Sequence, residues 1–298
     1  MQRIADALPE VSQRRACQIV GQPRSTQRYV GRQVDKDKRL VSRLHELARA
    51  HPRYGYRFMT TLIRRDDEFR RVNVKRVYRL WRAEGLKVPR KQVKKRRLGT
   101  SENGIVRHRS EFKDHVWCYD FVKDQTLDGR PLKFLPIVDE FTRECLALET
   151  ARHITAHDVI ATLEYLFEVR GAPRFIRSDN GPEFVARAVK DFLAGSNVKT
   201  LFIEPGSPWE NAYIESFNSR FRDEFLDREL FTGLQEAQVI TEDHRLDYNH
   251  HRPHSSLGYV TPAVFAASLS QSPVGASPLP TPASAMIDTE STLTGVGT

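Results

Sequence analysis

Three acidic residues stand where an acid is costly. Asp120 is the single acid in the apolar run His115–Val122, HVWCYDFV. Asp179 closes the run RFIRS that starts at Arg174, and Glu215 lies within an amphipathic segment, 211–226. A charge in a hydrophobic strand is unfavourable unless something pairs with it. A divalent cation held by carboxylates provides that pairing and suits two-metal phosphoryl transfer. Singly, each acid reads best as an ordinary carboxylate, one of them bonded to an arginine. Three of them at the ends of such elements, beside a strongly basic half, point to a shared metal.

The elements that must position these acids are legible in the hydrophobic pattern. His115–Val122 is rich in aromatic and β-branched residues and reads as a strand; with Leu132–Asp139 and Cys145–Thr150, joined to it by short turns, it predicts an antiparallel meander. A helix over His157–Arg170 follows, with Val159, Leu163 and Leu166 on one side, then a strand over 174–178. A helix over Glu183–Leu193 and a strand over Lys199–Ile203 come next. The last helix of this unit starts at Ser207-Pro-Trp-Glu210, a capping box with proline at the first helical position. On it Tyr213, Phe217, Phe221 and Phe225 form an apolar line with Ile214 beside it, and Asn211, Glu215, Asn218 and Arg222 form a polar one. The order βββαβαβα predicts an α/β fold: a mixed five-stranded sheet flanked by helices.

Charge divides the chain in two. Residues 1–114 hold 31 Lys and Arg against 12 Asp and Glu, a net of +19; from totals of 47 and 38, the remaining 16 and 26 give −10. The overall +9 is therefore the difference between two unlike halves. The basic half suits a polyanion, most simply nucleic acid. In residues 12–30 a helix through Ile19, a turn at Gly21 and a second helix fit a helix-turn-helix and, apart from the surrounding charge, fit an ordinary helical hairpin equally well. In NVKRVYRLWRAEG (73–85), Val74, Val77, Tyr78 and Trp81 share one face. Lys75, Arg79 and Arg82 form a second stripe with Arg76 beside it, Asn73 caps the start and Gly85 stops the end. A preceding helix spans roughly Tyr56–Arg65. Four cations on one short helix repel one another unless a polyanion neutralises them, which favours DNA contact over a merely solvated face. The link 89–97, with Lys94, Lys95, Arg96 and Arg97, reads as a basic connector along phosphates.

Several motifs carry a family resemblance: WCYDFV (117–122), IRSDNGPEF (176–184), SPWENAYIESFNSRFRDE (207–224) and YNHHRPHSSLGYVTP (248–262). HPRYGYR (51–57) resembles the start of an upstream helix-turn-helix. With these motifs, residues 50–268 resemble the transposases of the IS-three insertion-sequence family, the product of the downstream reading frame. Thirty-five residues separate the two later acids, the type of spacing this family shows. The resemblance implies a ribonuclease H-like core shared with retroviral integrases, preceded by all-α helix-turn-helix segments. It implies that Asp120, Asp179 and Glu215 are the catalytic triad and ligands of two Mg²⁺ ions, with Mn²⁺ as a substitute. Arg222 matches a family basic position near the scissile phosphate. The implied reactions are 3′-end cleavage at terminal inverted repeats and strand transfer into target DNA. The implied partners are double-stranded DNA, the upstream reading-frame protein (or a frameshift fusion with it) and further copies of the chain on DNA. No sustained leucine heptads occur here; in the family that element belongs to the upstream product.

The expected organisation is an N-terminal helical segment (1–50), a helix-turn-helix domain (51–88), a basic linker (89–114), the integrase-type core (115–230), a helical extension (231–269) and a disordered Ser/Pro-rich tail (270–298). No apolar run approaches the roughly 20 residues that span a bilayer. The start lacks the apolar stretch of a signal peptide, and three cysteines are too few for a disulfide framework, so a reducing cytosol is expected; the resemblance implies a bacterial cytoplasm, with nucleoid association on DNA. His250, His251 and His254 lack the spacing of a zinc site. Tyr119 and Tyr213 suit core packing better than recombinase chemistry, and Cys118 suits space-filling. Two other readings compete: a DNA-binding regulator with a dead catalytic domain, and a ribonuclease H-like nuclease acting on hybrids.

Overall fold

A computed structural model describes residues 11–28, 34–88, 109–178, 187–202 and 211–270. The expected connector 89–97, the Ser207 capping box, the Ser/Pro-rich tail beyond 270 and Asp179 lie outside them.

Two short helices, α1 (Gln13–Ile19) and α2 (Arg24–Arg28), open the described chain. Ser12 Oγ accepts the Arg15 N–H at the start of α1, and Gly21 (φ +66°) makes the turn to α2. Then come α3 (Val34–Ala50), α4 (Tyr56–Ile63) and α5 (Val74–Ala83). Leu40 and Leu44 of α3 pack with Tyr54, Met59, Ile63, Val77 and Trp81 in one core. The helical unit thus begins well upstream of residue 51, because α3 supplies the apolar face that α4 and α5 need. Asn73 caps α5, accepting the Lys75 N–H at 2.8 Å, and Gly85 ends it with φ +69°. The buried face of α5 is Val77, Leu80 and Trp81; Val74 and Tyr78, grouped by the sequence pattern with Val77 and Trp81 on one face, are exposed.

The sheet is built from β1 (Val116–Tyr119), β2 (Val122–Gln125), β3 (Pro131–Asp139), β4 (Cys145–Ala151), β5 (Phe175–Ser178) and β6 (Lys199–Phe202). Here β3 pairs antiparallel with β1 and β2 on one edge and β4 on the other. β5 joins β1 in parallel, and β6 joins β5 in parallel. There are six strands among the described residues where five were expected. The expected first strand is broken at Asp120-Phe121, where the Asp120 carboxylate accepts the Phe121 N–H at 2.7 Å and turns the backbone out of the ladder.

Side chains alternate across the pleat and so feed two cores. Trp117, Tyr119, Leu135, Ile137 and Ile176 pack against α6 (Ala156–Arg170) and α7 (Arg187–Gly195). Cys118, Val122, Phe134 and Val138 pack against α8 (Ala212–Glu224) and α9 (Leu234–His250), through Ile214, Phe217, Phe221 and Tyr248. A last helix, α10 (Pro262–Ser270), follows. The result is a helix–sheet–helix sandwich of the expected ribonuclease H-like class. Among the described residues no helix is long and apolar enough to cross a membrane.

Candidate active site

Asp120 follows directly on Tyr119, the last residue of β1, at the edge where strand pairing lapses. Its Oδ1 accepts the Phe121 N–H, and its Oδ2 accepts Asn218 Nδ2 at 2.9 Å. Asn218 lies one turn after Glu215 on α8. The apolar line of α8 holds the helix on the sheet: Phe221 meets Phe134 edge-on at 5.3 Å, and Phe217 meets Tyr248 at 5.0 Å. The polar line then sorts by depth. Asn211 is buried, Asn218 is half-buried, and Glu215 and Arg222 are exposed. Arg222 donates to the Lys123 carbonyl at 3.4 Å, so its guanidinium stands over the start of β2, just past Asp120.

The parallel register pairs Cys118 with Arg177. Asp120 is two residues beyond the first and Asp179 two beyond the second. Asp179 itself lies outside the described residues. Among the described residues no three His, Cys, Asp or Glu side chains form a metal cluster. The donor types nevertheless suit a hard divalent cation: carboxylates at 120 and 215, with a third at 179 in the sequence.

Other acids near the sheet are more deeply buried than Asp120 but serve the fold. Asp139 accepts the Thr142 N–H (3.0 Å) and hydroxyl (2.6 Å), and burial pushes its carboxyl up to about 6. Glu140 pairs with Arg177 at 2.8 Å, both buried. This pair anchors β5 just before Asp179, and no spacing rule in the sequence announces it. Burial raises the Cys118 thiol well above its usual range, so it fills space rather than reacting.

Residues 34–95 match an HTH-like domain, 112–208 match an integrase core domain, and 196–262 match a second integrase core domain family. The chain is 40% identical over 258 residues to an uncharacterized 39.2 kDa protein of insertion element IS476 from Xanthomonas euvesicatoria, covering 87% of this chain and 73% of that one. It is 39% identical over 262 residues to an uncharacterized 31.7 kDa protein of insertion element IS407 from Burkholderia multivorans, covering 86% and 91%. It is also 27% identical over 239 residues to transposase InsD of insertion element IS2 from Escherichia coli, covering 76% and 77%. The chain belongs to the IS-three family of insertion-element transposases. It is a DDE transposase with an integrase core behind an HTH-like domain.

In the transposase the basic stripe of α5 is not uniform. Arg76 and Arg79 both bind Asp37 of α3, at 2.6 and 3.1 Å. An internal acid therefore offsets part of the repulsion that was expected to need a polyanion. Arg76 is half-buried in this pair, whereas Lys75, Arg79 and Arg82 are exposed. The exposed Val74 and Tyr78 share their surface, and the Tyr78 ring lies 4.7 Å from that of Tyr56. Lys94, Lys95, Arg96 and Arg97 lie outside the described residues. The three histidines of the C-terminal motif have separate fates: His254 contacts Ser256 at 2.9 Å, His251 lies 3.5 Å from Asp247, and His250 is exposed at the end of α9.

Proposed function

We propose that Asp120, Asp179 and Glu215 are the catalytic carboxylates with which this transposase cleaves the 3′ ends of its element at the terminal inverted repeats and joins them to target DNA. The observation that carries this reading is the Asn218–Asp120 hydrogen bond. It ties the Glu215 face of α8 to the end of β1, in register with the strand that runs into Asp179. In cleavage a water oxygen bonds to phosphorus and the 3′ oxygen leaves, taking up a proton to become a hydroxyl. In strand transfer that hydroxyl attacks a target phosphate, loses its proton and expels the target 3′ oxygen. Divalent cations bound by the three carboxylates would stabilise the charge that develops on the phosphoryl oxygens.

The chain's own residues supply position. Asn218 and the Phe121 N–H hydrogen-bond to the two oxygens of Asp120 and fix the orientation of the carboxylate that would hold a cation. Arg222 is placed to hold a phosphate beside Asp120. On the helix-turn-helix unit, Lys75, Arg79 and Arg82 contact phosphates, and the exposed Val74 and Tyr78 are available to base edges. Arg76 acts mainly through Asp37. The basic residues 94–97 extend the phosphate track. Work on two ends calls for more than one copy on DNA, and end recognition in the bacterial nucleoid draws on the upstream reading-frame protein or a fusion with it.

The test is single-turnover cleavage of labelled inverted-repeat DNA in Mg²⁺, comparing the parent with Asp179→Asn and Glu215→Gln. Loss of cleavage in both variants is expected. Cleavage by either at the parent rate overturns the assignment; cleavage of RNA–DNA hybrids in preference to duplex ends would favour the nuclease reading.

A further inference from the structure

Two motifs that the proposed chemistry leaves unused, HPRYGYR (51–57) and the segment 248–262, meet in space. At their junction Arg252 is 4% exposed. Its Nε and Nη2 donate to the two Glu224 oxygens at 2.6 and 2.7 Å, and its Nη1 donates to the Pro253 carbonyl at 3.3 Å. The guanidinium carbon lies 5.7 Å from the Tyr54 ring centroid, 5.2 Å from Phe58 and 5.4 Å from Tyr248. Further bonds surround it. Arg53 pairs with Asp223 at 3.2 Å, Arg228 donates to the Ala50 carbonyl at 3.2 Å, and Arg65 donates to the His251 carbonyl at 2.8 Å. Phe58 meets Tyr259 edge-on at 5.7 Å.

Each of these outer contacts joins residues 50–65 of the helix-turn-helix unit to residues 223–259 of the core. Glu224 is the last residue of α8, the helix of Glu215 and Asn218. At 1.5 Å per residue the two glutamates are about 14 Å apart along that helix. Units joined within one chain move relative to each other by default unless the contact between them is extensive. Here a buried guanidinium is held in its plane by a bidentate carboxylate and faces aromatic rings from both units. Only the planar fork of arginine satisfies the carboxylate and the rings together.

We propose that Arg252 is a positioning residue: with Glu224 it clamps the helix-turn-helix unit onto the end of α8, so that a DNA end gripped by one unit reaches the acids of the other in a fixed register. This rests on the reading of Glu215 as catalytic. Arg252 acts through Glu224 and never touches DNA or metal.

The test uses the full chain. The native cysteines Cys17, Cys118 and Cys145 are buried, so spin labels can be placed at Ser42→Cys on α3 and Tyr165→Cys on α6. The parent is expected to give one narrow distance distribution, and Arg252→Met and Arg252→Lys broad ones. In parallel, end-DNA affinity is expected to stay within about threefold, while cleavage at saturating DNA falls by about 100-fold in Arg252→Met, the cost of roughly 1 Å of misplacement. Arg252→Lys should not rescue it. If Arg252→Met does not fold, Arg53→Ser, which loosens the rim of the same contact, should broaden the distance and lower cleavage in the same sense. A distribution as narrow in the variants as in the parent overturns the clamp, as does an equal loss of binding and cleavage. A parent that gives a narrow distance and binds ends but does not cleave them defeats the catalytic reading instead, and the distance arm still decides the clamp.

Discussion

Replacing Asn218 by alanine removes one hydrogen bond, 2.9 Å long, from the Asp120 carboxylate. A hydrogen bond to a charged group contributes about 1.5–3 kcal/mol. Were all of that lost from the transition state, cleavage would slow by about 10- to 150-fold, at 1.36 kcal/mol per decade. The Phe121 N–H still holds Oδ1 at 2.7 Å, so the carboxylate stays partly oriented and the lower end applies, about tenfold. Stability should hardly change, because Asn218 Oδ1 is itself buried without a partner among the described residues and its removal relieves that cost. Asn218→Asp sharpens the comparison: it exchanges the N–H donor for a second carboxylate facing Asp120, and the loss should reach about 100-fold as repulsion replaces a bond. The assay is single-turnover cleavage of labelled inverted-repeat DNA across a Mg²⁺ titration, with melting temperatures recorded alongside. Parent rates in Asn218→Ala, or equal losses in the alanine and aspartate variants, would mean that the bond does not position Asp120.

Three further outcomes follow from other parts of the molecule. Asn249 accepts the Cys145 N–H at 2.9 Å and donates to the Cys145 carbonyl at 2.8 Å, docking α9 on β4. Because Arg245 also serves that carbonyl, Asn249→Leu orphans only the N–H and should cost about 1–3 kcal/mol, lowering the melting temperature by about 2–10 °C. Burial pulls His244 down to about 4, with Glu224 and Asp247 opposing the shift and Arg252 and Arg228 adding to it. The unfolded chain then binds the extra proton first. The stability this neutral histidine contributes is therefore present above about pH 6.5 and lost as the pH falls toward 4, so His244→Phe should flatten the decline in urea midpoint between pH 7 and 5. Lys75→Ala should weaken end binding and reduce the slope of log affinity against log salt by about 1, whereas Arg76→Ala should leave that slope nearly unchanged and lower the melting temperature instead.

Local signals carried much of the fold. Asn73 and Gly85 delimit α5 where capping rules place them, and the alternation of Trp117, Cys118 and Tyr119 assigns each to its side of the sheet. What escaped are features set by partners distant in the chain. Val74 and Tyr78 fit the apolar period of α5, but the shared core of α3, α4 and α5 takes up Val77, Leu80 and Trp81 instead. Asp37, which claims Arg76, is 39 residues away with no motif to mark it. The break at Asp120 is decided by one side-chain hydrogen bond that periodicity does not see. Of the site, the resemblance named the three acids, and the helical spacing of Glu215 and Asn218 named their common face. The Asp120–Asn218 bond spans 98 residues and required the fold. Arg252 is the extreme case: its motif was visible, but its role needs Tyr54, Phe58 and Glu224 in one place.

The most direct test of the central claim is Asp120→Asn, a change of one oxygen to an amide. Binding of inverted-repeat DNA and Mg²⁺-dependent cleavage should be measured on the same preparation. If Asp120 is a catalytic carboxylate, end affinity stays at the parent value while both 3′ cleavage and strand transfer fall to background. Cleavage at the parent rate in Mg²⁺ would contradict it.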